Sequence, residues 1–114
     1  MRSMQQRQQL HPSFKIWLSV KGVDLIGKGG VSLLRLIEKH GSIRKAAKEL
    51  GCSYKFAWDQ LEDMERKLGT PVVLTKRGGA TGGGAELTST ARVLLEKYDK
   101  IEKGVRKAIR EEMI

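Results

Sequence analysis

Apolar positions recur along this chain with two different periods, and the places where the period changes divide it into elements. From Phe14 the chain alternates, with Phe14, Ile16, Leu18 and Val20 on one side and Lys15, Trp17, Ser19 and Lys21 on the other. A period of two predicts a half-buried strand, and a Lys21-Gly22 turn into a second short run, Val23 to Ile26, completes a hairpin. Gly27, Gly29 and Gly30 then interrupt the chain. A helix is expected from about Val31 to His40, turning Leu33, Leu34 and Ile37 inward and ending at Gly41.

Between Gly41 and Leu68 the spacing becomes helical and the apolar residues become small. Ser42 can cap a helix from Ile43 to Leu50, Gly51-Cys52 makes a tight turn, and Ser53 can cap a second helix. Ala46 and Ala47 fall mid-way along the first helix, while Ala57, Leu61, Met64 and Leu68 form one stripe of the second. Two helices cross this closely only where small side chains line the contact, so the stretch reads as a helix-turn-helix. The second helix is left with Tyr54, Lys55, Trp58 and Asp59 on its other face. An inert helical hairpin has no need of such a face.

Beyond Gly69 and Pro71, Val72 to Leu74 predicts a short strand, Lys76 to Gly84 a loop with five glycines, and Ala85 to Leu87 the return strand. Thr88 is an N-cap candidate for a long final helix. In that helix Leu94, Tyr98, Ile101, Val105 and Ala108 are spaced four, three, four and three, a seam of about two heptads. Its first half is expected to pack on its own domain and its second half to pair with another copy, where Gly104 permits close approach. The fold class is therefore mainly α with small β elements: a winged helix-turn-helix with an N-terminal β-hairpin and a long C-terminal dimerisation helix. The divisions are a polar tail at 1–12, a DNA-binding domain at 13–87 and the terminal helix at 88–114.

Charge narrows the partner. The 114 residues carry 22 Lys and Arg against 13 Asp and Glu, a formal net charge of +9. That excess favours a polyanion, because every phosphate neutralised releases counterions. The single Cys52 excludes a disulfide framework and a multi-thiolate zinc site. No apolar run reaches the length of a membrane span, and the Gln-rich start lacks the apolar core of a secretory signal, so a cytoplasmic protein with no membrane partner is expected.

Enzyme chemistry finds no purchase in the spacing. His11 and His40 are far apart, no Ser-His-Asp or metal-ligand pattern occurs, and Glu62-Asp63 and Glu111-Glu112 read as solvated helix charges. His40 suits a helix C-terminus. A nucleotide-binding loop would place Lys and Ser or Thr directly after its last glycine, whereas here Ala85-Glu86 follows. No enzyme activity, cofactor or metal is expected. The glycine loop, Gly78, Gly79, Gly82, Gly83 and Gly84, reads as the tip of a wing on the DNA backbone or minor groove, or as a mobile loop with no partner.

The chain resembles the N-terminal DNA-binding domain of the ModE family of molybdate-responsive transcription regulators. The resemblance rests on Gly41-Ser42-Ile43 with Ala46-Ala47, on Ser53-Tyr54-Lys55-Phe56-Ala57-Trp58, and on Gly78-Gly79 followed by Gly82-Gly83-Gly84-Ala85-Glu86-Leu87-Thr88. It covers roughly Phe14 to Tyr98. The helix-turn-helix half is similar to LysR-type regulators almost as closely. The resemblance implies a winged helix that dimerises through its first and last helices and binds operator DNA near molybdate or other oxyanion transport genes. Family members sense molybdate with C-terminal oxyanion-binding domains, and this chain ends at Ile114. The expected sensor is therefore a separate oxyanion-sensing protein, or the chain answers another signal.

The residues expected to reach base edges are Ser53, Tyr54, Lys55 and Trp58, with Tyr54 and Lys55 foremost; Trp58 either touches a thymine methyl or sugar wall, or lies half-buried under the wing. Ser42, Arg44, Lys45, Lys76 and Arg77 are the phosphate candidates. The partners expected are double-stranded DNA and a second copy of the chain, whose two recognition helices would meet successive major grooves about 34 Å apart. A sequence-neutral architectural DNA- or RNA-binding protein is the alternative that the charge serves equally.

Overall fold

A computed structural model describes residues 10–77 and 83–113, and the readings placed on Gly78, Gly79 and Gly82 and on most of the polar tail lie outside them. In chain order the elements are β1 (Leu18–Val20), β2 (Val23–Ile26), α1 (Lys28–His40), α2 (Ile43–Leu50), α3 (Tyr54–Leu68), β3 (Val73–Lys76), β4 (Gly84–Leu87) and α4 (Ser89–Glu112). The strands form two separate antiparallel pairs.

Strand alternation holds from Phe14 onward: Phe14, Ile16, Leu18 and Val20 are half-buried and the residues between them exposed. The ladder itself begins only at Leu18, because Leu18 pairs with Ile26 and the next residue of the partner, Gly27, already caps a helix. Lys21 and Gly22 both have positive φ, 51° and 78°, which the two-residue connection between right-twisted strands demands.

The first helix starts three residues earlier than the expected Val31, so Gly29 and Gly30 lie inside it. Gly30 is a packing residue: a Cβ there would come within 2.7 Å of Ile26 Cγ1 and 2.9 Å of Met64 Cε. Its lack of a side chain lets α1 press on β2 and α3 at once. Val31, Leu33, Leu34 and Ile37 then fill the core from α1.

Both helices of the central pair have the expected bounds. Ser42 Oγ accepts from Lys45 N–H at 3.1 Å and Ser53 Oγ from Phe56 N–H at 3.0 Å, each satisfying a first-turn donor. Gly51, at φ 80°, ends α2 in the left-handed conformation. Ala46, Ala47 and Ala57 are fully or almost fully buried where the two helices cross, and Cys52 packs half-buried against the same core.

A carboxylate joins α3 to the wing. Glu65 accepts from the N–H groups of Val72 and Val73 at 2.8 and 3.4 Å, Val72 C=O accepts from Thr88 N–H at 3.0 Å, and β3 starts one residue later than its apolar run. The register runs from Val73 opposite Leu87 to Lys76 opposite Gly84. Thr88 caps α4 by accepting from Ala91 N–H at 3.2 Å, and its hydroxyl donates to Pro71 C=O at 2.9 Å.

The first half of α4 packs on its own domain as expected, which takes Leu94 and Tyr98 out of the seam between copies. Ala91, Leu95 and Tyr98 form the stripe that faces the chain's own core, with Leu94 packed beside them, so Leu94 and Tyr98 are taken by the single chain. Tyr98 is only 4% exposed. A three-four spacing describes a core-facing stripe as well as a dimer seam, which is why periodicity alone merged the two. Ion pairs Arg35–Asp99 and Arg92–Glu38 brace α1 against α4. Further along, Ile101 is 46% exposed, Val105 is half-buried and Ala108 exposed, while Arg106 lies 5.2 Å over the Phe14 ring.

Candidate nucleic-acid interface

The caps that start α2 and α3 place the first turns of both helices at one end of the molecule, and the wing closes one side of that end. Between them runs an open groove of about 610 Å³, lined by residues 40–45 together with Tyr54, Trp58, Thr75, Lys76, Gly83, Gly84 and Ala85. The wing root is fastened to the turn between α1 and α2 by a main-chain hydrogen bond, Ala85 N–H to Gly41 C=O at 2.9 Å.

Side chains from three elements converge there. The Arg44 guanidinium lies over the Tyr54 ring at 4.3 Å, a cation–π contact between α2 and α3. Tyr54 meets Trp58 edge to face, with centroids 6.2 Å apart and planes at 85°. Trp58 is half-buried against the core beside the wing root while still lining the groove. The position agrees with the reading of Trp58 as half-buried beside the wing. Ser42 Oγ, occupied as an acceptor by Lys45 N–H, keeps its hydroxyl proton for a donor role. Arg44, Lys45 and Lys76 supply cations, and among the described residues no carboxylate lines the groove.

Lys55 and Arg77 do not line it. Lys55 stands on the outer face of α3, 85% exposed in its side chain, with Nζ 2.9 Å from Asp59 Oδ2. That hydrogen bond first, and the Asp59 charge second, raise the Lys55 ammonium above its ordinary pKa. Arg77 follows β3 and is exposed. Ser53 is exposed as well, its Oγ held by the cap on Phe56 N–H.

Three features escaped the sequence. His40, which lines the groove, is hydrogen-bonded to Glu49 across the α1–α2 turn, and that hydrogen bond, reinforced by Lys39, holds the Glu49 carboxyl below its ordinary range. Those residues are nine apart with no periodic signature. Asp59 was visible as a surface residue, and its i, i+4 spacing from Lys55 was the signal for the pair. Phe56 is 52% exposed on the recognition helix.

Among the described residues no group of three or more His, Cys, Asp or Glu is placed to hold a metal, and no helix is long and apolar enough to cross a membrane.

Residues 31–92 match the bacterial regulatory helix-turn-helix proteins of the lysR family. The molybdenum-pterin-binding protein MopB of Rhodobacter capsulatus is 45% identical over 84 residues, 74% of this chain and 31% of MopB. Transcriptional regulator ModE of Haemophilus influenzae is 45% identical over 73 residues, 64% of this chain and 29% of that protein. The dual regulator ModE of Escherichia coli K12 is 40% identical over 78 residues, 68% and 30% respectively. The chain thus spans about 30% of the length of these curated relatives. Among solved structures, the crystal structure of a CbnR_DBD–DNA complex superposes with a TM-score of 0.55 at 25% identity, covering 74% of this chain and 92% of that one. ArgP from Mycobacterium tuberculosis, at 16% identity and a TM-score of 0.54, shares the fold.

Proposed function

Because this chain belongs to the bacterial regulatory helix-turn-helix proteins of the lysR family, we propose that it is a sequence-specific regulator that binds operator DNA as a homodimer. The observation that carries the reading is the groove between α3 and the wing, with three cations and two aromatic rings in its lining and no carboxylate among the described residues. Cations on both walls suit phosphates flanking a major groove, while Tyr54 and the outer face of α3 turn toward base edges. The related CbnR domain was crystallised with DNA, which supports the same use of the same fold.

Dimerisation is supported by the second half of α4, which leaves Ile101 and Ala108 exposed beyond the chain's own core. The link to molybdate or another oxyanion rests on the names of the ModE and Mop relatives. In this reading oxyanion sensing lies outside the described domain, in a further domain or a separate protein, and the chain itself catalyses no reaction. Competition binding tests the central claim. The region upstream of a molybdate-transport operon is expected to displace the chain from labelled DNA at concentrations about a thousandfold below random duplex of equal length, the lower end of the usual margin between specific and non-specific sites. Equal competition by both duplexes makes the protein a sequence-neutral binder, and a monomer in sedimentation at micromolar concentration removes the homodimer.

A further inference from the structure

The outer face of α3 carries a feature that phosphate binding leaves unexplained. Asp59 follows Lys55 by one turn, both are largely exposed, and Oδ2 lies 2.9 Å from Nζ. On a surface that approaches a polyanion, a carboxylate opposes each phosphate it nears and lowers affinity for DNA in general. At base edges its sign is an advantage. Cytosine N4 is a donor that a carboxylate accepts from, and guanine O6 and N7 are acceptors for an ammonium.

The spacing agrees with the chemistry. In a G·C pair, O6 and N4 are hydrogen-bonded to each other, so they lie about 2.9 Å apart, the usual N–H···O distance. The Lys55–Asp59 pair presents a donor and an acceptor at the same 2.9 Å. Placed over one G·C pair, the ammonium donates to guanine O6 and N7 while the carboxylate accepts from cytosine N4. An A·T pair offers the carboxylate adenine N6 at the same spacing, but gives the ammonium a single acceptor, thymine O4, next to the C5-methyl group, so the ammonium favours G·C while the carboxylate fixes which strand carries the amino group. Glu62, the next acid along the helix, acts on Lys55 only through its charge and makes no such pair.

Resting on the reading of α3 as the recognition helix, we propose that Asp59 is a specificity-determining residue that, with Lys55, reads one G·C pair in each half-site and holds down binding to other sequences. The pair makes discrimination and affinity pull in opposite directions at a single position of the helix.

Selection from a pool of random-sequence duplexes, with the full 114-residue chain and with Asp59→Ala and Asp59→Asn variants, tests this. The wild-type pool is expected to return a motif containing a G·C pair. Asp59→Ala should lose about tenfold preference for that pair over the reversed C·G pair, where the carboxylate would face guanine O6, and bind an unselected duplex more tightly than wild type. Asp59→Asn should move the position toward A·T, because an amide pairs with adenine N6 and N7. Lys55→Gln should weaken the same position. Wild-type motifs returned intact by both Asp59 variants overturn this inference alone. A wild-type pool without any motif overturns the sequence-specific reading and this inference together. Circular dichroism is expected to show both Asp59 variants melting as wild type does, since the side chain is exposed.

Discussion

The guanidinium of Arg44, on α2, rests 4.3 Å above the ring of Tyr54, on α3. The contact joins a phosphate candidate to a base-reading candidate and restricts a long side chain before any ligand arrives. Arg44→Ala is expected to weaken binding to every duplex by a similar factor and to lower the slope of log affinity against log salt by about 1. Anisotropy titrations at several salt concentrations measure both. A loss confined to one sequence would place Arg44 on a base instead.

Gly30 marks where α1, β2 and α3 meet. Gly30→Ala improves helix propensity by about 1 kcal/mol, yet puts a methyl 2.7 Å from Ile26 Cγ1. Overpacking of this kind costs about 1–3 kcal/mol, and because Ile26 is buried and branched, the clash wins. Urea denaturation should show a lower midpoint with an unchanged slope; a higher midpoint would mean that Ile26 and Met64 yield freely.

Gly104 is the opposite case, with no heavy atom within 4 Å of an added Cβ in the single chain. Gly104→Ala should therefore stabilise α4 by roughly 1 kcal/mol. A decrease in stability at concentrations where the chain self-associates would show a second copy pressed against that position.

Glu65 serves two backbone donors at the entry to the wing, one of them on the fully buried Val72. Glu65→Ala leaves that N–H unpaired, at a cost of about 1–3 kcal/mol. Thermal melting should register the loss, and amide exchange should quicken first at Val72 and Val73. Exchange unchanged at both amides would show the wing held by other means.

On the far half of α3, Asp63 is held below its ordinary value of 3.8, first by the Lys67 hydrogen bond, which outweighs the opposing effect of burial, and then by the charges of Lys67 and Arg66. A depressed carboxyl stabilises the fold above its unfolded pKa and loses that contribution as pH falls through the folded value, so the effect lies at and below about pH 4. Lys67→Met should raise the Asp63 midpoint toward 3.8 in a carboxyl NMR titration. Lys67 also donates to Asp24 C=O at 2.9 Å, so the variant should loosen β2 as well. An unmoved midpoint would assign the depression to Arg66.

The central helices were legible in the sequence because their signals are local. Ser42, Gly51, Ser53 and Gly69 punctuate the chain within a few residues of the backbone groups they satisfy, and both helices have the predicted ends. The start of α1 was not legible, since Gly29 and Gly30 look like breakers until the neighbours of Gly30 are known. Where the own-domain stripe of the last helix gives way to its free half was not legible, because Leu94 and Tyr98 share one heptad spacing with Ile101, Val105 and Ala108. At the interface, residue types were readable but their pairing was not. Arg44 and Tyr54 lie ten positions apart on different helices, and His40 meets Glu49 across a turn. Only the crossing angle of the helices brings such pairs together.

The hydrogen bond from Ala85 to Gly41 runs between two stretches of main chain, so among substitutions only proline at position 85 removes its donor. It fixes the distance between the wing root and the turn that leads into α2. Side chains at positions 54, 55, 58 and 59 can therefore vary without touching the tie that holds the wing in place, which leaves the frame independent of the surface it carries.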